Sequence, residues 1–236
     1  MALLAINALL APSLAFAAQQ IHLTTFDNDR PISVVCEAIL KVAYQRIGLE
    51  LVIDQMPGER AILSASRGES DGALYRIAGF EKNYPDLIPV PVPLYHVEFV
   101  VFSKRLQFPV KDWSSLANYT IGYRRGYKVV ELNTRQWRSD PAATQAQLYR
   151  KLEIGRTDLV VDDRKSGLYA LQKLGISDVR LLNPPLMETQ FYHFLHRKRA
   201  DLVPRIQATL MEMSRTHEID RIAQDAMAKM GMPASP

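Results

Sequence analysis

The first hundred residues alternate between β-prone runs and stretches with helical periodicity. Residues 21–26 form a short β-prone run, and the polar turn after it leads into Pro31. Residues 49–53 and 59–67 repeat the pattern as a strand followed by a helix. A strand, helix, strand, helix order predicts an α/β layer with a parallel sheet. The predicted first helix has one apolar face, formed by Val35, Ala38, Ile39, Val42 and Ile47.

A second block with the same pattern follows a β-prone run at residues 97–102. It contains predicted strands at 120–123 and 158–161, a helix that ends at Leu174, and a returning strand at 190–195. Two similar blocks joined by two β-prone crossings predict two lobes with a cleft between them. Two amphipathic helices end the chain, with apolar faces at Leu202, Val203, Ile206 and Leu210, and at Ile219, Ile222, Ala226 and Met230.

The first residues have the pattern of a signal peptide. An apolar run from Ala2 to Ala11 is followed by Pro12 and by the small-residue pattern Ala15-Phe16-Ala17. This order predicts export, with cleavage near Ala17 and a signal peptide at residues 1–17. An ordinary buried first helix is the alternative.

Charge and cysteine content narrow the class of protein. The 29 basic and 25 acidic residues are scattered, which is typical of a solvated surface and not of a nucleic-acid interface. The single cysteine, Cys36, lies in an apolar helical stretch and is predicted to be a buried thiol. His193 and His196 lie three apart in a predicted strand and so point to opposite faces. We expect no metal and no cofactor.

Three segments, in their order along the chain, resemble a known family. They are RGESDGALYRIAGFEKNYPDLIPVPVPLY, WSSLANYTIGYRRGYK and GRTDLVVDDRKSGLYAL. Their order is similar to that of type II periplasmic solute-binding proteins of polar amino-acid ABC transporters (bacterial extracellular solute-binding protein family 3), in a divergent branch. The resemblance implies a two-lobed α/β fold in which each lobe is a mostly parallel sheet flanked by helices, with two hinge crossings. Lobe 1 would comprise residues 18–103 and 190–236, and lobe 2 residues 104–189.

The same resemblance implies a function. A periplasmic monomer would capture a small polar solute, an amino acid or related small carboxylate, by hinge closure and would not be an enzyme. Its partners would be the membrane subunits of an ABC transporter or a membrane sensor. Two alternatives stay open. One is a small-molecule lyase with Asp162, Asp163 or Glu98 as its base, and the other is a sensory or partner-binding module without ligand transport.

One departure from the family pattern affects the predicted ligand site. Members of the family carry a carboxylate-binding arginine about a dozen residues after the first-lobe aspartate, but Lys82 and Asn83 stand there in this chain. Arg76, five residues after Asp71, is the predicted replacement, because a guanidinium fork fits a carboxylate.

The remaining candidates follow the predicted strands. Asp162 and Asp163 end an apolar strand, where the family places an aspartate against the ligand's ammonium group; helix capping is the alternative. The turn after the first strand, which contains Asp27 and Arg30, is expected to open on the same cleft edge as the turn after the third, which contains Tyr75 and Arg76. Each other candidate has a turn or surface role as its alternative. These candidates are Asp27, Tyr75, Tyr95, Arg124, Gly126 and Tyr127.

Overall fold

A computed structural model of the chain describes residues 19–25 and 30–232. The predicted signal peptide and Asp27 lie outside the described residues. Within them, one sheet of seven strands runs through the molecule. The strands are β1 (Gln19–Thr25), β2 (Leu49–Gln55), β3 (Gly72–Ile77), β4 (Leu87–Ser103), β5 (Ile121–Gly122), β6 (Leu159–Asp163) and β7 (Arg180–His196).

The sheet has parallel ends and an antiparallel middle. Its strand order is β2-β1-β3-β7-β4-β6-β5. At one end β1 pairs in parallel with β2 and β3, and at the other end β5 pairs in parallel with β6. The long strands β4 and β7 are antiparallel to each other. On their other sides, β4 pairs antiparallel with β6 and β7 pairs antiparallel with β3. The parallel pairing predicted for each lobe is therefore found, and an antiparallel pair joins the two lobes.

Strands β4 and β7 are much longer than the runs predicted at residues 97–102 and 190–195. Each has 17 residues, and β4 includes Pro89, Pro91 and Pro93. Proline has no amide hydrogen to donate, so a proline-rich segment was not expected inside a ladder. The pairing of β4 with β7 shifts register between Pro89 and Pro93 and again between Pro93 and Tyr95. These irregularities accommodate the prolines while the strand continues.

The described residues also form seven α-helices, most of which contact strands of the sheet. Pro31 occupies the first turn of the first of them, where its missing amide hydrogen costs no hydrogen bond. None of the described helices combines the length and apolar character needed to cross a membrane. The helices are α1 (Pro31–Arg46), α2 (Gly58–Ser66), α3 (Lys128–Thr134), α4 (Gln145–Glu153), α5 (Arg164–Leu174), α6 (Val203–Arg215) and α7 (Glu218–Lys229).

Each lobe has buried apolar residues of its own. In lobe 1, α1 packs against α6 and α7 and buries Ile39 and Cys36, which confirms the predicted burial of the thiol. In lobe 2, α4 and α5 cover Tyr149, whose ring meets that of Phe102, near the end of β4, edge to face. The predicted boundaries at residues 103/104 and 189/190 fall at the end of β4 and inside β7, and they remain a prediction.

Candidate functional site

The two lobes come into backbone contact where α2 begins and where the chain turns from β5 into α3. Gly58 lies so close to this turn that a Cβ atom built on it would be 2.7 Å from the carbonyl oxygen of Arg125. Gly126 has a φ of 95°, a left-handed conformation that favours glycine. Beside this contact lies a cavity of about 50 Å³. Its walls are Tyr75, Arg76, Ile77, Phe80, Phe99, Gly126, Tyr127, Lys128, Val129 and Phe191.

Arg76 supplies a cation to the wall of this cavity. It lies near the end of β3 and is 6% exposed. Its Nη1 donates to the carbonyl oxygen of Tyr75 at 2.7 Å, and its guanidinium carbon is 5.5 Å from the centre of the Phe80 ring. Burial lowers the pKa of Arg76 to about 10, so the side chain stays charged at neutral pH. The cleft therefore has a positive charge in an aromatic wall.

A second charged group joins the lobes through Arg30, Asp162 and Asp163, which we name the cleft cluster. Arg30 comes from the turn before α1 and donates from Nη2 to both aspartates, with 3.3 Å to Asp162 Oδ1. All three side chains are at most 4% exposed. The guanidinium carbon of Arg30 also lies 5.0 Å from the centre of the Tyr127 ring. One arginine thus neutralises part of a buried carboxylate pair.

Further donors surround the two aspartates. Asp162 accepts hydrogen bonds from Gln145 Nε2, from Tyr149 Oη at 3.1 Å and from the amide of Asp163 at 2.9 Å. Asp163 accepts from Tyr127 Oη at 3.4 Å and from the amide of Ser166 at 2.8 Å. The Ser166 contact caps α5, so the capping role and the ion pair occur in the same carboxylate.

Burial and charge act in opposite directions on this cluster. Burial raises the pKa of Asp162, and the neighbouring Asp163 raises it further, while Arg30 opposes the shift. Burial alone would lower the pKa of Arg30, but Tyr127, Asp163 and Asp162 raise it well above its usual value. Arg30 therefore stays protonated, and Asp162 takes up a proton more readily than an exposed aspartate does.

Comparison with known proteins shows which solved structures have a similar architecture. No protein-family model matches the sequence, and no curated protein matches it. Solved structures do match. The amino-acid ABC transporter substrate-binding protein AbpA from Streptococcus pneumoniae, bound to L-arginine, has a TM-score of 0.73 at 14% identity, with 89% of this chain and 95% of that chain covered.

Two further matches are proteins of other kinds. A histidine kinase sensor domain with similarity to periplasmic binding proteins has a TM-score of 0.75 at 16% identity, over 88% of this chain and 96% of that chain. The GluR0 ligand-binding core from Nostoc punctiforme, in complex with L-glutamate, has a TM-score of 0.73 at 12% identity, over 88% and 98%. This chain has the periplasmic-binding-protein fold. The architecture predicted from the motif order is confirmed, whereas the ligand must be argued from the chain's own side chains.

Within the periplasmic-binding-protein fold, most of the predicted site residues meet at the cleft. Tyr75, Arg76, Gly126 and Tyr127 line the cavity. Asp163 joins this group through its contact with Tyr127, and Asp162 joins through Arg30. Tyr75 and Arg76 lie inside β3 and not in the turn after it, because the strand extends to Ile77.

Two predicted residues lie elsewhere in the fold. Tyr95 lines an open groove of about 820 Å³ beside the cleft, and Lys165 Nζ is 5.3 Å from the centre of its ring. Asp163 also borders this groove. Asp163 therefore contacts the groove directly and the wall of the cavity through Tyr127. Arg124 is buried, and its Nη1 donates to the carbonyl oxygen of Ala142 at 3.2 Å. Arg124 therefore contacts the segment at Ala142 and is not among the residues that line the cavity.

Several residues of the cleft were not predicted from sequence. Lys128 Nζ donates to Glu59 at 2.6 Å and so adds an ion pair between α3 and α2. Phe80, Phe99 and Phe191 complete the aromatic wall. In the sequence, only the position of Lys128 directly after Gly126-Tyr127 indicated that it lies at the cleft. Nothing in the neighbouring residues identifies Glu59 as its partner. Across the described ranges, no group of three His, Cys, Asp or Glu side chains is arranged to hold a metal ion.

Proposed function

We propose that this chain is an exported solute-binding protein that captures a small polar molecule, an amino acid or related small carboxylate, between its lobes. The observation that carries the proposal is the buried guanidinium of Arg76 in the wall of a cavity to which both lobes contribute. A guanidinium fork has the geometry that suits a carboxylate, and the aromatic rings around it suit the apolar part of a small ligand. The proposal includes no catalytic step.

Ligand entry requires the lobes to separate. A cavity of about 50 Å³ is far smaller than the roughly 300–1,000 Å³ of typical small-molecule sites. The strands β4 and β7 connect the lobes, and their pairing shifts register between Phe99 and Val101. We propose that bending at these two strands opens the cleft and that ligand contacts with both lobes favour closure.

The proposed setting is the periplasm, with ABC transporter membrane subunits or a membrane sensor as the partner. Support for transport comes from the likeness to AbpA, a substrate-binding protein. The likeness to a histidine kinase sensor domain supports sensing as the second candidate function. In both settings a membrane partner would distinguish the open form from the closed form.

The lyase alternative has weaker support. A general base needs a free lone pair within reach of a substrate proton. Asp162 and Asp163 accept hydrogen bonds from the chain itself, and Glu98 accepts one from Arg164 Nε. If the purified protein converts a bound carboxylate, as followed by NMR, and Asp163→Asn abolishes the conversion, the lyase function would replace binding.

A thermal-shift screen tests the binding function. Polar amino acids, small carboxylates and small amines are added to the full chain, and a ligand is expected to raise Tm by mass action. Arg76→Lys should weaken that ligand at least tenfold, because a lysine loses the paired donors. Arg150→Lys, on an exposed face, is the matched control and should bind as the wild type does. If no compound of the three classes shifts Tm, the proposal is wrong.

A further inference from the structure

The carboxylates of the cleft cluster are already occupied by donors of the chain itself. Asp162 accepts four hydrogen bonds, from Arg30, Gln145, Tyr149 and the amide of Asp163. A carboxylate offers about four lone-pair positions, so this group is saturated. Asp163 accepts three, two of them on the oxygen that Arg30 contacts. A ligand ammonium group would have to displace Arg30 to take its place between Asp162 Oδ1 and Asp163 Oδ2.

The backbone keeps Arg30 in this position. Arg30 precedes Pro31, and a residue before proline is restricted to extended conformations. It has a φ of −84° and a ψ of 142°, and its carbonyl oxygen accepts the amide of Val34 at 3.0 Å as α1 begins. The start of the helix therefore fixes the backbone from which the guanidinium reaches the two aspartates. The guanidinium is also stacked near the Tyr127 ring, which attracts cations.

Charge opposes a second cation at the same place. Arg30 remains protonated between the two aspartates, so an ammonium group beside it would meet a like charge in a buried environment. If Arg30 left, two carboxylates would remain buried until the ligand compensated them. Both routes disfavour an α-amino group, whereas a carboxylate at Arg76 encounters neither cost.

We propose that Arg30 is a specificity-determining residue that takes the place of a ligand's ammonium group. The cleft then selects small carboxylates that lack an α-amino group over the corresponding amino acids. This inference rests on the proposed binding function. Displacement of Arg30 by an incoming amino acid is the opposite possibility, and the experiment below separates the two.

The experiment compares matched pairs of ligands by isothermal titration calorimetry with the full chain. The pairs are glutamate and glutarate, aspartate and succinate, glutamine and glutaramate, and serine and 3-hydroxypropanoate. In the wild type we expect at least one deamino compound to bind, and to bind at least tenfold more tightly than its amino acid. Arg30→Gln should reduce that ratio at least tenfold, while Arg30→Lys, which keeps the positive charge, should retain most of it.

The possible results test the binding function, the selectivity and the role of Arg30 separately. If wild-type protein binds an amino acid as tightly as its deamino partner or more tightly, the inference is wrong and the binding function stands. If none of the eight compounds binds, the proposed function for carboxylates is wrong, and the inference with it. An unchanged ratio in folded Arg30→Gln, checked by circular dichroism, would overturn the role of Arg30. Should that variant fail to fold, the wild-type ratio and Arg30→Lys still decide.

Discussion

Two buried polar groups in this molecule differ in charge and in location. The first, which we name the lobe pair, consists of Tyr44 and His193 inside lobe 1. His193 Nδ1 donates to the carbonyl oxygen of Ala73 at 3.0 Å, and Nε2 accepts from Tyr44 Oη at 2.6 Å. The second is the cleft cluster of Arg30, Asp162 and Asp163, which joins the lobes.

The difference in charge follows from the surroundings. Burial lowers the pKa of His193 to about 4, so the lobe pair is neutral at pH 7 and needs no counter-ion. The cleft cluster contains a charged arginine, because the two aspartates from the other lobe help to hold the pKa of Arg30 above its usual value, while burial raises the pKa of Asp162 to about 7. A neutral pair holds one lobe together, whereas a charged cluster links the stability of the chain to the position of the lobes.

Removal of the Arg30 cation from the cleft cluster should have the largest effect on the free energy of unfolding. Arg30→Met leaves two buried carboxylates without their partner, which should lower the free energy of unfolding by about 3–5 kcal/mol. Urea denaturation monitored by circular dichroism measures this change. Arg150→Met, on an exposed helix face, is the control and should change it by less than about 0.5 kcal/mol. A loss below about 1 kcal/mol for Arg30→Met would show that the cluster does not stabilise the closed form.

Loss of the hydrogen bond in the lobe pair should lower the free energy of unfolding less than loss of Arg30 does. Tyr44→Phe leaves Nε2 of buried His193 without its donor, which should cost about 1–3 kcal/mol. The same denaturation experiment applies, and small-angle scattering should show unchanged lobe separation. Tyr192→Phe, whose hydroxyl donates to exposed Gln190, is the matched control and should be close to neutral. If Tyr44→Phe increased the separation, the distinction between the two groups would fail.

Acid should act on the two groups with opposite sign. The pKa of His193 lies below its usual 6.5, so the unfolded chain binds that proton first and stability falls as pH drops from 6.5 towards 4. The pKa of Asp162 is raised by burial, so the folded chain binds that proton first and stability rises as pH falls towards the usual aspartate range. Each contribution is at most about 1.4 kcal/mol per pH unit.

Single variants separate these contributions. His193→Gln should remove the destabilising term, and Asp162→Asn should make the loss of stability in acid steeper. Denaturation at several pH values between 7.5 and 4 measures both slopes. Wild-type slopes in both variants would mean that neither group changes its protonation on unfolding.

The exposed ion pair between the lobes should matter least. Lys128 and Glu59 have side-chain exposures of 23% and 45%, so solvent and salt screen their attraction. A double-mutant cycle with Lys128→Ala and Glu59→Ala should give a coupling of at most about 1 kcal/mol that falls in high salt. A coupling that equals the effect of Arg30→Met would contradict the ranking.

Local sequence patterns predicted most of the fold. The apolar face of α1 and the β-prone runs identified the elements, because their periodicity depends on neighbouring residues only. The sequence also led to Arg76 and to the aspartates at the end of β6. The contact between Arg30 and these aspartates was not predicted, since 132 and 133 residues separate the partners. The length of β4 was missed because the three prolines hide a strand whose register shifts accommodate them.

The approach of Gly58 to residues 125 and 126 has a consequence for engineering. Because peptide groups meet there without side chains, a single methyl group at position 58 would encounter the Arg125 carbonyl oxygen at 2.7 Å. Under the proposed opening of the cleft, Gly58→Ala would act as a spacer that shifts the equilibrium between open and closed forms without altering any charge. Position 58 offers a way to tune this equilibrium independently of ligand chemistry, which makes it a suitable starting point for a biosensor.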